Sequence, residues 1–229
     1  MPRRELRASA VIAAAVVGCA VAAPAQGALK ADYRFEGKLK SSVNGVPNLV
    51  QDGPGATGFS NEQVKGSQNG IWTWPADAGL RLNEASKALG NKNDYTIVML
   101  IRLDEISSYR KLIHFKAPTE DDGFYAYDGG LYPYGPDPDR YTEDVFDADQ
   151  WVQITLVRRK NGQIRCFVGK KLQVREPDAE KSHVVNAGDS LLFLRDDEGT
   201  LNEESGGGLA RLRIWSNALS DSKIKNLGV

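Results

Sequence analysis

Residues 151–172 read WVQITLVRRKNGQIRCFVGKKL. Val152, Ile154 and Leu156 alternate with Gln153 and Thr155, the period of a strand with one buried face. Asn161-Gly162 interrupts the run, and Ile164, Cys166 and Val168 resume the alternation. Asn-Gly between two alternating runs marks a hairpin, because both residues tolerate the positive φ of a type I′ turn. The stretch therefore predicts two antiparallel strands burying one face, with Cys166 as a small, inert core residue.

The same logic extends in both directions. Residues 95–103, YTIVMLIRL, place Tyr95, Ile97, Met99, Ile101 and Leu103 on one face. Val98 and Leu100 enrich the other, so this strand is expected to be central and covered on both sides. Further strands are expected at residues 33–36, 71–74, 80–82, 110–115, 190–195 and 209–215. In the last, Ala210, Leu212 and Ile214 should face inward and Arg211 and Arg213 outward. Only the end reads as helix: Ser220 can N-cap a turn whose buried side carries Ile224 and Leu227. Many strands separated by Gly, Pro, Asn and Asp turns predict an all-β sandwich or barrel.

The first 25 of the 229 residues read as a signal helix for export. Arg3, Arg4 and Arg7 precede an apolar run over residues 8–23, followed by Ala23-Pro24-Ala25 as a cleavage site. The run is short for a stable span of roughly 20 residues. Val16-Val17-Gly18-Cys19 offers lipidation at Cys19 as the alternative processing route. Residues 28–229 are then one domain, large enough for a core of its own. Removing Arg3, Arg4, Arg7 and Glu5 moves the net charge from −1 to −3. A balanced, mildly acidic chain argues against nucleic acid as a partner. With Cys19 removed, Cys166 is the last cysteine, so no internal disulfide is expected.

No G-x-S-x-G, H-E-x-x-H or P-loop pattern is present. His114, in KLIHF, reads as an ordinary outward strand residue, and His183 as an exposed loop residue. Arg158-Arg159-Lys160 and Lys170-Lys171 read as solvated hairpin ends. Residues 176–180, EPDAE, come nearest to the paired carboxylates of a glycosidase, but their Pro and polar context predict a turn. Trp72 and Trp74 read as packing residues.

Two stretches remain for function. Residues 124–141, FYAYDGGLYPYGPDPDRY, predict a hairpin turning at Asp128-Gly129-Gly130. Alternation groups Tyr125 with Tyr127 and Tyr132 with Tyr134. Such aromatic faces can stack on sugar rings while the hydroxyls hydrogen-bond. Cross-strand packing of the hairpin is the competing reading. The second stretch holds Asp196-Asp197-Glu198 at a strand end and Glu203-Glu204 before three glycines. Carboxylates on such a loop suit a hard cation such as Ca²⁺, with a solvated acidic loop as the alternative. Asp121-Asp122 before Gly123 is a second acidic candidate.

Taken together, residues 32–49 (DYRFEGKLKSSVNGVPNL), 93–134, 150–172 and 191–227 (LLFLRDDEGTLNEESGGGLARLRIWSNALSDSKIKNL) resemble bacterial secreted LamG-like (laminin G-like) domains. That resemblance implies a concanavalin A-like jelly-roll β-sandwich of two antiparallel sheets with a short C-terminal helix. It also implies a binding or adhesion role without catalysis, often with Ca²⁺ at loop positions. The leading reading is a non-catalytic extracellular module that binds a carbohydrate or glycoconjugate, with Ca²⁺ assisting. The matching loop residues are Asp196, Asp197, Glu203 and Glu204. The alternative is a protein-interaction or adhesion module using a sheet face, and a third reading is a glycoside hydrolase relative. Fold alone does not decide among these roles.

Overall fold

The alternating run at 95–103 is the central strand of the larger of two sheets. The computed structural model describes residues 27–90, 94–116, 122–135, 141–142, 144–197 and 202–228. Residues 1–25, Cys19, Asp121 and Glu198 lie outside them. In chain order the elements are β1 (Leu29–Tyr33), β2 (Val50–Asp52), β3 (Gly58–Val64), β4 (Ser67–Trp74), β5 (Gly79–Leu82) and α1 (Ala85–Leu89). There follow β6 (Tyr95–Leu103), β7 (Tyr109–His114), β8 (Phe124–Tyr127), β9 (Gly130–Pro133), β10 (Val152–Arg158), β11 (Gln163–Val168) and β12 (Lys171–Pro177). The chain ends with β13 (Leu191–Phe193), β14 (Gly207–Trp215) and α2 (Asp221–Lys225).

One sheet runs β12-β11-β10-β6-β14-β4-β3, with β1 also pairing β14; the other runs β2-β5-β13-β7-β8-β9. Every pairing is antiparallel. The fold is thus the expected sandwich. Tyr95, Ile97, Met99, Ile101 and Leu103 of β6 all enter the core between the sheets. They meet Leu80 and Leu82 of β5, Leu112 of β7, Phe124 of β8 and Phe193 of β13 in one cluster. Each such Leu, Ile or Phe contributes about 1.5–3 kcal/mol on burial. Trp72 and Trp74 stack in this core, ring centroids 5.1 Å apart. The outer face of β6 is covered as its sequence suggested. Val98 packs with Val157, Phe167 and Trp215 beneath Leu219 and Ile224, which brings α2 onto the sheet. The Ser220 hydroxyl caps α2 by accepting from Lys223 N at 3.2 Å.

Several expectations change. The 161–162 turn is not type I′, since Gly162 alone of the pair has positive φ, at 83°. Gly162 N donates to Arg159 O and Arg159 N to Gln163 O, the three-residue loop with a bulged left-handed glycine. Ala210 does not face the core with Leu212 and Ile214. A register shift between Leu209 and Arg211 makes it a bulge, and it packs on the outer face with Ile71 and Leu100. The strand expected at 33–36 ends at Tyr33, because Phe35 turns to φ 55°. The run expected at 190–195 stops at Phe193, where Leu194 takes φ 65°. Glu176 and Pro177 close β12 instead of forming a turn. Pro is tolerated there because β12 is an edge strand. α1 has no side-chain cap, since Glu84 precedes it at φ 49°, and so leaves no start signal in the sequence.

Candidate functional site

The hairpin of β8 and β9 turns at Asp128 and Gly129, both at positive φ (43° and 72°), as its sequence requires. Leu112, Phe124, Ala126 and Leu131 point into the core. Their neighbours Lys111, Tyr125, Tyr127 and Tyr132 therefore face away from it. Gly123 allows β8 to lie against β7: a Cβ there would sit 2.3 Å from Ile113 O, and its φ is 123°.

On this outer face six tyrosines form one network. Tyr109, missed in the sequence, sits at its centre, its ring 4.5 Å from Tyr127 and 5.7 Å from both Tyr125 and Tyr132. Tyr141 lies 4.7 Å from Tyr127 and 6.5 Å from Tyr132, and Tyr134 lies 6.3 Å from Tyr132. Tyr125 and Tyr132 are buried, whereas Tyr109, Tyr127, Tyr134 and Tyr141 are half-buried. The four tyrosines singled out in the sequence therefore divide into two supports and two surface residues. A cleft of about 350 Å³ opens beside them, between Tyr141–Thr142 and the β12 residues Gln173, Val174, Arg175, Glu176 and Pro177. Thr142 anchors this wall to β9, donating N–H to Leu131 O at 3.3 Å and accepting from Leu131 N at 3.2 Å.

Beneath the tyrosines lies a buried charge cluster. The Lys111 side chain is fully buried. Its ammonium donates to Asp122 O at 2.8 Å and to the Tyr125 hydroxyl, and sits 4.1 Å from the Tyr125 ring centroid. It also pairs with Asp196 Oδ1 at 3.3 Å and Asp197 Oδ2 at 3.6 Å. The turn at Leu194 leads directly into these carboxylates, with Leu194 N donating to Leu112 O at 3.1 Å. Burial pushes the Asp196 carboxyl up to about 6, against the pull of Lys111. Burial also raises Asp122, against the opposing charges of Lys116 and His114.

Asp196, Asp197 and Glu203 each bring a carboxylate oxygen within 4.8 Å of the others. Three oxygens so close suit a hard cation in donor chemistry. Glu204 does not join them: it pairs with Arg195 and accepts from Asp196 N at 3.2 Å. The Lys111 ammonium already stands against two of the three carboxylates. Ca²⁺ binds oxygen at 2.3–2.6 Å, so an ion on Asp196 and Asp197 would be forced against a buried positive charge. The residues do not fit Ca²⁺ while Lys111 is present.

Both histidines depart from their expected exposure. His114 is buried, its Nδ1 3.9 Å from Asp122 Oδ1. It points away from the core as expected, between the core residues Ile113 and Phe115 and opposite Leu192, but it is covered instead of exposed. His183 is buried too, with Nδ1 3.1 Å from Asp178 Oδ1 and its carbonyl accepting from Tyr95 OH at 2.7 Å. Arg158, read as a solvated hairpin end, is buried and donates to Asp178 Oδ2 at 2.7 Å. Burial raises the Asp178 carboxyl, but hydrogen bonds and charge from His183 and Arg158 win and bring it down to about 2. Lys111 was missed because a lysine in an apolar strand is invisible without its partners, which arrive some 85 residues later. The cue in RKLIHF is a charged residue inside an apolar run.

No family model and no curated protein matches this chain. Solved structures do. Domain 4 of AbnA, a GH43 extracellular arabinanase from Geobacillus stearothermophilus, in complex with arabinotriose, is similar at TM-score 0.63 and 14% identity, covering 87% of this chain and 98% of that one. The likeness is one of fold. The binding domain of Paraclostridial Mosquitocidal Protein 1 is similar at TM-score 0.56 and 14% identity, over 86% of this chain and 51% of that one. A structure of botulinum neurotoxin type C, whose cell entry depends on interaction with two ganglioside molecules, gives 0.55 at 11% identity, over 86% and 50%. The chain thus spans nearly all of the arabinanase domain and about half of the toxin structures.

Proposed function

We propose that residues 28–229 form a non-catalytic, LamG-like glycan-binding module that acts outside the cell after export by residues 1–25. The observation that carries this is the tyrosine face. Tyr109, Tyr127, Tyr134 and Tyr141 are held half-buried by Tyr125 and Tyr132, beside a cleft whose lining includes the polar residues Thr142, Gln173 and Glu176. Aromatic platforms set rigidly beside hydrogen-bonding groups are what a sugar ring needs. The fold neighbours solved with arabinotriose, or described as interacting with gangliosides, support the reading by analogy.

The adhesion alternative asks for a broad exposed apolar patch. Among the described residues, the exposed large hydrophobics are Val50 and Phe59, on edge strands of different sheets. Also among the described residues, no helix is long and apolar enough to cross a membrane.

A glycan array spanning plant arabinans, other polysaccharides and sialylated oligosaccharides tests the proposal. The purified chain is expected to retain at least one class, and Tyr127→Ala or Tyr141→Ala to lose it. Retention of none, or retention untouched by both substitutions, contradicts the reading.

A further inference from the structure

We propose that Lys111 is the resident cation of the acidic loop, so that the module works without Ca²⁺ and its carboxylates become a Ca²⁺ site only when the ammonium is removed. The case starts from geometry. Asp196, Asp197 and Glu203 converge within 4.8 Å, the two Asp buried and Glu203 half-buried, and a positive charge among them offsets their mutual repulsion. That charge comes from β7. The Lys111 stem runs through a fully buried position, and its head contacts Asp196, Asp197, the Asp122 carbonyl and the Tyr125 hydroxyl and ring. Lys111 N also donates to Glu203 O at 2.7 Å, so the same residue grips both ends of the loop.

The second observation concerns Asp196. Its side chain is 3% exposed, and the charge and hydrogen bonding of Lys111, with a backbone hydrogen bond from Asp197, oppose the burial of its carboxylate oxygens. These oxygens are aimed at the ammonium. Without it they point at a gap bounded by two further carboxylates and the Asp122 carbonyl, all hard oxygen donors of the kind Ca²⁺ takes. Arg195 and Arg110 do not stand in for the lysine. Arg195 is committed to Glu204, and Arg110 donates to Asn202 O at 2.6 Å and pairs with Glu105 at 2.6 Å. A single lysine therefore decides whether this loop takes a metal. It also ties the loop to the tyrosine face through Tyr125, a link that a dissociable ion would leave dependent on calcium concentration.

The test combines equilibrium dialysis against radioactive calcium with thermal melts. At about 1 mM free Ca²⁺, the weak end of extracellular calcium modules, the wild-type chain is expected to bind no stoichiometric calcium and to keep its Tm. Glycan retention is expected to be the same with and without chelator. Lys111→Met and Lys111→Gln are expected to melt lower in the absence of metal and to regain Tm with Ca²⁺ but not Mg²⁺. Saturable Ca²⁺ binding by the wild type overturns the proposal. So does a folded Lys111→Met or Lys111→Gln chain with no Ca²⁺ response up to about 10 mM, ten times that level. If neither variant folds without metal, refolding in Ca²⁺ and not in Mg²⁺ supports the proposal, and refolding in neither overturns it.

Discussion

At the scale of single residues, the interior of this sandwich carries more charge than its sequence advertises. Lys111→Met leaves Asp196 and Asp197 buried without their counter-ion, and breaking such a pair from one side typically costs about 3–5 kcal/mol. Urea unfolding at neutral pH is expected to show a loss of that size; a loss below about 1 kcal/mol, the value of an exposed pair, contradicts a buried role. Asp178 and Asp196 act with opposite sign on the pH dependence of stability. Asp178 sits at about 2 in the folded chain against an ordinary 3.8. Its contribution, about 2 kcal/mol, is present above pH 3.8 and lost as pH falls toward 2. Asp196 sits at about 6 against 3.8, so the folded state holds its proton more tightly. Its contribution is full below pH 3.8 and is lost as pH rises through about 6. Denaturation midpoints from pH 2 to 7 are expected to show both limbs, with Asp178→Asn flattening the acid limb and Asp196→Asn the limb between pH 4 and 6.

At the scale of elements, the tyrosine hairpin depends on close approach to β7. Gly123→Ala places a Cβ against Ile113 O at a φ that L-residues rarely adopt, and is expected to destabilise the chain by about 2 kcal/mol or more. Ser220→Ala removes the cap of α2 and is expected to cost about 1 kcal/mol while leaving glycan retention intact, since α2 covers the opposite sheet. The strands that read clearly in the sequence are those with uninterrupted alternation, β6, β10 and β11. Reading failed where one residue broke the period. Ala210 bulges out of β14, the shift after Lys111 turns both Leu112 and Ile113 into the core, and Phe35 and Leu194 end strands by turning to positive φ. Alternation assigns faces only while the ladder stays in register.

At the scale of the whole molecule, the sandwich brings together segments that are far apart in sequence. Tyr109, Tyr125–Tyr134, Tyr141 and β12 meet on one side, and Lys111 meets Asp196 and Asp197 across β7 and the β13 end. The hairpin tyrosines and the acidic loop were both legible as chemistry-bearing stretches. Their division into buried supports and surface platforms was not, because sequence spacing does not place Lys111 against the Tyr125 ring and hydroxyl. The proposed function places sugar rings on the half-buried tyrosines of this side. Its most direct test is amide chemical-shift mapping of the purified chain titrated with the glycan class that the array returns. The largest shifts are expected at residues 124–134, 141–142 and 173–177. Shifts confined to the edge strands β2 and β3, with the tyrosine face unmoved, would contradict it.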